Sequence, residues 1–209
     1  ATDISTINGK KYHSILAESG FRRSQHISYK PACPSCSACK PIRVVVKKFA
    51  RTKSHKRIYN RNRDLVTEYQ TPVATPELFE LFKNYQTMRH SGGEMALMDY
   101  GDFRGMLETS PINTFIKTYR LEVSRKLIGA VLLDEQRDGY SAVYSFFTCL
   151  QPERSMGTYI ILDLLDDLRR NDLDYLYLGY WIAQSRKMSY KSNFRPAEIL
   201  EGSNWVDLG

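Results

Sequence analysis

The sequence predicts an α+β fold with a partly parallel sheet, and three observations point to it. Midway along the chain, "NTFIKTYRLEV", "KLIGAVLLDEQ" and "YSAVYSFFTCL" read as three strands in succession. "PERSMGTY" then leads into "YIILDLLDDLRRNDL", whose apolar residues recur at helical spacing. "DYLYLGYW" follows as a last strand, so the helix serves as a crossover between strands. With 209 residues, 42% hydrophobic and 12% aromatic, the chain is long enough for one good-sized domain or one domain with a small appendage.

The elements follow in order. "YKP", "PACP" and "KPIR" mark irregular backbone around three cysteines, and "IRVVVKKF" after them reads as a short β-branched strand. Residues 64 to 76, punctuated by Pro72 and Pro76, read as a linker. Thr75 is placed to cap a helix with Pro76 in its first turn and Leu78, Leu81, Phe82, Tyr85 and Met88 on one face. Gly92 and Gly93 end that pattern, and a second short helix is expected over Tyr100 to Leu107. "RDG" at 137 to 139 is a hairpin turn signal. The organisation expected is a cysteine-bearing basic region over 1–70 and a larger sheet domain over 71–209.

Charge is unevenly distributed. Net charge is +7, yet "KKFARTKSHKRIYNRNR", residues 47 to 63, carries eight Lys/Arg and no Asp/Glu. A local basic strip on an otherwise balanced protein suits a polyanion, nucleic acid first, although a solvated charged face would look the same. The longest apolar run, "LIGAVLL", is far too short to span a membrane, and no signal-peptide pattern is visible. Three of the four cysteines fall within seven residues, too close to pair readily, which indicates a reducing compartment and makes the cytoplasm the expected location.

Two motifs bear on chemistry. Arg154 and Gly157 lie where a strand turns into a helix, a junction whose backbone N–H groups can face an anion; in acetyltransferase-like folds the acyl-donor phosphate binds there. Cys33, Cys36 and Cys39 form C-x-x-C-x-x-C, a loop able to turn three thiolates toward a structural zinc ion or iron–sulfur cluster. A fourth ligand is not evident: Cys149, His13, His26 or a residue before Ala1 are the options, and three ordinary buried thiols are the alternative.

Several blocks taken together carry a resemblance: "GFRRSQHISYKPACPSCSACKPIRV", "MRHSGGEM", "DGYSAVYSFF", "RSMGTYIIL" and "YLYLGYWIAQSRKMSYKSNFRPAEIL". From about Tyr12 to Trp205 the chain resembles the arginyl-tRNA–protein transferase family, in the form of its bacterial branch, the aspartate/glutamate leucyltransferases. The resemblance implies an enzyme that moves an amino acid, Leu by the bacterial-type blocks, from aminoacyl-tRNA to the α-amine of proteins beginning with Asp or Glu, in the N-degron route to protein degradation. It also implies an acetyltransferase-like (GNAT-type) mixed sheet with flanking helices, joined to the small cysteine-bearing region. The family's N-terminal cysteines are associated with metal or iron–sulfur binding, and no cofactor is needed for the chemistry itself. Bacterial relatives usually carry another cysteine in a C-x-Y-L-P-like element, which these 209 residues lack.

Attack of an amine on an already activated ester needs no Ser/His/Asp arrangement; it needs positioning and a stabilised oxyanion. Tyr180, Lys187, Tyr190 and Lys191 in "GYWIAQSRKMSYK", with Tyr144 on a neighbouring strand, are the expected catalytic donors. Arg22, Arg23, Arg43 and Arg57 are candidates for gripping the acceptor's carboxylate. Lys47, Lys48, Arg51, Lys53, Lys56, Arg57, Arg61 and Arg63 are expected to meet tRNA phosphates, with Arg154 and Gly157 at the helix junction and Tyr59 free to stack. An arginyl-tRNA-dependent transferase, a metal-stabilised RNA-binding protein without catalysis, and a coenzyme A-dependent acetyltransferase are the competing readings.

Overall fold

The apolar runs in the middle of the chain become the centre of an eight-stranded sheet. The computed structural model describes residues 1–6 and 8–209. A small N-terminal unit consists of β1 (Thr2–Asp3), α1 (Gly9–Glu18), β2 (Arg22–Ser24) and β3 (Ile27–Tyr29), its strands paired in the order β1-β3-β2. Next come β4 (Lys40–Val45), α2 (Lys53–Arg61), β5 (Leu65–Gln70), α3 (Pro76–Arg89) and α4 (Tyr100–Glu108). The chain continues through β6 (Thr114–Leu121), β7 (Leu127–Gln136), β8 (Gly139–Phe147), α5 (Met156–Arg170), β9 (Tyr175–Trp181), β10 (Ala197–Glu201) and β11 (Asn204–Asp207).

The large sheet runs β11-β10-β4-β9-β8-β7-β6-β5. Every pair in it is antiparallel except β8 and β9, which run parallel because α5 carries the chain across between them. The expected α+β class, hairpin turn and crossover are all present. The division drawn at residue 70 does not separate the sheet, however. β4 lies between β10 and β9, and β5 forms the far edge against β6, so two strands from the first 70 residues belong to the larger sheet.

Both faces of the sheet are covered. On one, α5 packs Leu162, Leu164 and Leu168 against Val44, Val131 and Leu176, with α2 leaning on α5. On the other, Leu78, Leu81 and Phe82 of α3 and Phe103 and Leu107 of α4 close over Ile116, Leu132 and Phe146. The α3 cap is as expected: the Thr75 side chain accepts from the Leu78 N–H at 3.2 Å. The apolar face of α3 is as expected through Leu78, Leu81, Phe82 and Tyr85, but in the last turn Gln86 is buried at 1% while Met88 is 53% exposed.

Other differences lie early in the chain. The expected linker over 64–76 contains β5, an edge strand whose last four residues are all exposed, so it lacks the apolar alternation that marks a strand. The basic strip contains α2, begun by a capping box in which Thr52 accepts from the His55 N–H and His55 accepts from the Thr52 N–H.

Candidate functional site

β8 and β9 pair only at one end. Gly139, Tyr140 and Ser141 face Tyr175, Leu176 and Tyr177, and past them no pairing holds the two strands together. A cleft of about 670 Å³ opens at this splay. Its wall draws Tyr85, Gln86, His90 and Met95 from the α3 side and Ile160, Ile161 and Leu164 of α5 from the opposite side, so it passes through the sheet.

Two cations hold the parted strands. Arg22 Nη2 donates to the carbonyls of Ala142 and Val143 on β8, at 3.0 and 2.9 Å. Lys191 Nζ donates to the carbonyls of Leu178 and Tyr180 on β9, at 2.8 and 2.6 Å. Strand edges that diverge leave backbone carbonyls without partners, and these side chains satisfy them. Gly179 makes room: its φ is +76, and a Cβ there would lie 1.4 Å from Arg22 Nη1. A glycine inside a strand often marks such a close approach.

Burial, and secondly the neighbouring Arg22, press the Lys191 ammonium down to about 7. Burial raises the Tyr144 and Tyr190 hydroxyls, and burial followed by the nearby Tyr29 pushes Tyr180 up to about 12. Gln86 Nε2 donates to the Tyr144 hydroxyl oxygen at 2.7 Å, leaving the phenolic hydrogen available to another acceptor. The Tyr180 hydroxyl lies 3.0 Å from the Gly20 carbonyl and 3.1 Å from that of Tyr29, tying the N-terminal unit to the cleft.

The structure brings Tyr144, Tyr180, Lys187, Tyr190 and Lys191 into the lining of one cleft, together with Arg22. The other acceptor candidates are placed differently. Arg23 is buried and bound bidentate by Asp134, with Nε–Oδ2 and Nη2–Oδ1 both 2.7 Å. Arg43 donates to Glu198 and lies 3.6 Å over the Tyr175 ring and 4.2 Å from that of Trp205. Both guanidinium groups are thereby committed within the fold. Arg57 stands exposed on α2, away from the cleft lining.

Part of the basic strip is likewise engaged. Lys47 pairs with Asp172 and Asp174, Arg51 with Asp166 while lying 3.5 Å over the Tyr59 ring, and Arg61 with the Glu153 carbonyl. Lys48, Lys53, Lys56, Arg57 and Arg63 are exposed and form no ion pair among the described residues. At the helix junction Arg154 turns to Asp64, at 2.7 and 2.8 Å, and α5 begins at Met156 beside Gly157.

The cysteine loop ends where Lys40 pairs with Trp181, next to Tyr180. Cys33 and Cys36 are exposed, and the Cys36 N–H reaches the Cys33 carbonyl at 3.4 Å. Among the described residues no group of three His, Cys, Asp or Glu side chains is arranged to hold a metal ion. His13, one of the proposed fourth ligands, is buried with its Nε2 2.6 Å from Gln136.

Sequence reasoning missed Gln86, Gly179 and the lining residues Tyr85 and His90, with Arg89 beside them. A glutamine on the apolar face of α3 and a glycine within a strand were the available signals. Lys187 and Arg89 stand close enough to His90 to lower its pKa after burial has done so.

A mixed sheet splayed at its one parallel pair, with a cleft through the splay, gives this protein a GNAT-like fold. Its fold is shared by FemX (TM-score 0.61, 9% identity, 99% of this chain and 69% of that one) and by L-PGS from Bacillus licheniformis (TM-score 0.58, 12% identity, 95% and 63%). Residues 2–57 match the family described as arginine-tRNA-protein transferase, N terminus, and residues 77–201 match its C terminus. The chain belongs to the arginine-tRNA-protein transferase family. It is 45% identical over 206 residues to the aspartate/glutamate leucyltransferase of Rhodospirillum rubrum, covering 98% of this chain and 83% of that protein. The protein of the same name from Gluconacetobacter diazotrophicus is 46% identical over 208 residues, covering 99% and 79%.

Proposed function

We propose that this protein transfers leucine from leucyl-tRNA to the α-amine of proteins whose first residue is Asp or Glu, marking them for degradation in the cytoplasm. The observation that carries the choice of donor is the inner wall of the cleft. Val131, Ile160, Ile161, Leu164 and Leu178 line it, and Glu94, exposed at the rim, is the one carboxylate on it among the described residues. A leucyl side chain gains by leaving water for such a wall; an arginyl group would be desolvated there without a counter-charge. The names of the curated relatives support the same donor and acceptors.

The reaction joins the acceptor's α-amine nitrogen to the ester carbonyl carbon and breaks the bond to the ribose oxygen, which leaves with a proton. An α-amine, with a pKa near about 8, is partly neutral at cellular pH. The Tyr144 hydroxyl, held by Gln86, is the donor assigned to the developing oxyanion. Tyr190, which lines the same cleft, is assigned to the leaving oxygen. Lys187 in the cleft lining and Arg89 beside His90 suit the phosphates of the tRNA terminus, and the exposed cations of α2 suit its stem. No helix among the described residues is long and apolar enough to cross a membrane.

The test is transfer of labelled Leu or Arg from the charged tRNAs to peptides beginning with Asp, Glu or Ala. Leu on the Asp and Glu peptides alone is the expected result. Transfer of Arg instead would overturn the donor assignment.

A further inference from the structure

The β8–β9 splay holds two basic side chains without a counter-charge. Four backbone carbonyls meet Arg22 and Lys191, but dipoles do not neutralise unit charges, and neither residue forms an ion pair among the described residues. The one carboxylate in the field of Arg22 is Asp134, which Arg23 already grips with two hydrogen bonds. Arg22 Nε and Nη1 carry no hydrogen bond, and Nζ of Lys191 has three hydrogens for two carbonyls. Two basic groups held close together and partly buried oppose each other's charging unless a ligand supplies the opposite sign. The backbone accommodates the arrangement, since Gly179 at φ +76 omits the Cβ that would displace the guanidinium.

We propose that Arg22 and Lys191 together receive the side-chain carboxylate of the acceptor's first residue, making Lys191 a specificity-determining cation. This rests on the transfer reaction proposed above. A planar carboxylate suits the fork of Arg22, with the Lys191 ammonium closing on its second oxygen. An Asp or Glu carboxylate is only two or three carbons from its own α-amine, so holding one delivers the other to the same cleft. A tRNA phosphate fits less well. It would bring a ribose on each side into a splay flanked by Ala142, Val143 and Leu178, whereas unpaired cations for phosphate lie at the rim and on α2.

The experiment compares steady-state transfer to peptides beginning with Asp, Glu, Asn and Gln, using wild type, Lys191→Met and Lys191→Arg. Removing one charge-assisted contact is expected to raise KM for the Asp and Glu peptides roughly ten- to hundredfold while leaving the Asn and Gln peptides little changed. Lys191→Arg should retain the acidic preference. A uniform fall in kcat on all four peptides with the preference intact would overturn the proposal and place Lys191 in the transfer step. A raised KM for leucyl-tRNA with peptide KM unchanged would also overturn it. Equilibrium binding of the Asp and Asn peptides to the wild-type protein is an independent check, needing neither turnover nor a folded variant. Preference for Asp by about tenfold or more is expected there, and equal binding refutes the receptor. Binding preference without any transfer would instead sink the proposed reaction while leaving the receptor standing.

Discussion

Gly179→Ala tests whether the splay depends on Arg22. The added Cβ would stand 1.4 Å from Nη1 and 2.4 Å from Cζ of Arg22, and the backbone there has φ +76. A side chain at positive φ costs about 1–2 kcal/mol. Expelling the guanidinium also abandons its bonds to Ala142 and Val143, roughly a further 1.5–3 kcal/mol for contacts from a charged donor. In an Arg22→Ala background only the backbone cost remains. Urea unfolding of wild type, the two single variants and the double variant closes the cycle, with an expected coupling of about 1.5–3 kcal/mol. A Gly179→Ala penalty equal in both backgrounds, within about 0.5 kcal/mol, would refute the argument that this glycine exists for Arg22.

Arg23→Ala strands a buried Asp134 carboxylate and should cost about 3–5 kcal/mol in denaturant unfolding; a stable variant with altered acceptor KM would restore Arg23 to the site. Lys53→Ala, Lys56→Ala and Arg57→Ala should each lower the salt slope of tRNA binding by about 1, read from titrations at several salt concentrations; an unchanged slope places the tRNA elsewhere. Burial holds His13 and His55 below their ordinary value of 6.5. Their contribution to stability is therefore present above pH 6.5 and lost as pH falls through the lower folded values. Thermal unfolding between about pH 7.5 and 5 should show this loss, smaller in His13→Asn, and an identical loss in that variant would exclude His13. Lys191, near 7 and faced by Arg22 from β2, Tyr29 from β3, Tyr180 from β9 and the adjoining Tyr190, should regain its proton when a carboxylate binds. Calorimetry of Asp-peptide binding near about pH 8, in buffers of different ionisation enthalpy, should register proton uptake that Lys191→Met abolishes; no uptake by wild type would count against the contact.

What the sequence made legible followed from how strongly each segment is patterned. β7 and α5 are buried over most of their length and β6 over its middle, while β8 is mostly half-buried, and in all four the apolar residues are dense enough to show in the sequence. β5 and α2 carry few buried residues, and composition alone resembled a linker and a charged strip. Within the site, "GYWIAQSRKMSYK" drew attention by its density of donors. Four arginines looked equivalent as acceptor ligands, because nothing local distinguishes Arg22 from Arg23. One residue apart on β2, they point to opposite faces: one reaches the open carbonyls of β8, the other a carboxylate on β7. That distinction depends on contacts more than a hundred residues away, which no local pattern encodes.

The place of β4 has a consequence for how the polypeptide is made. Its neighbours on either side, β9 and β10, are synthesised more than a hundred residues after it. Until those segments leave the ribosome, Ile42 and Val44, which end fully buried, have no sheet to join. Such distant pairing slows folding and prolongs the exposure of an unpaired apolar strand. β4 therefore stays unpaired until both of its partners have been made, which exposes Ile42 and Val44 for longer than any strand of the central hairpins.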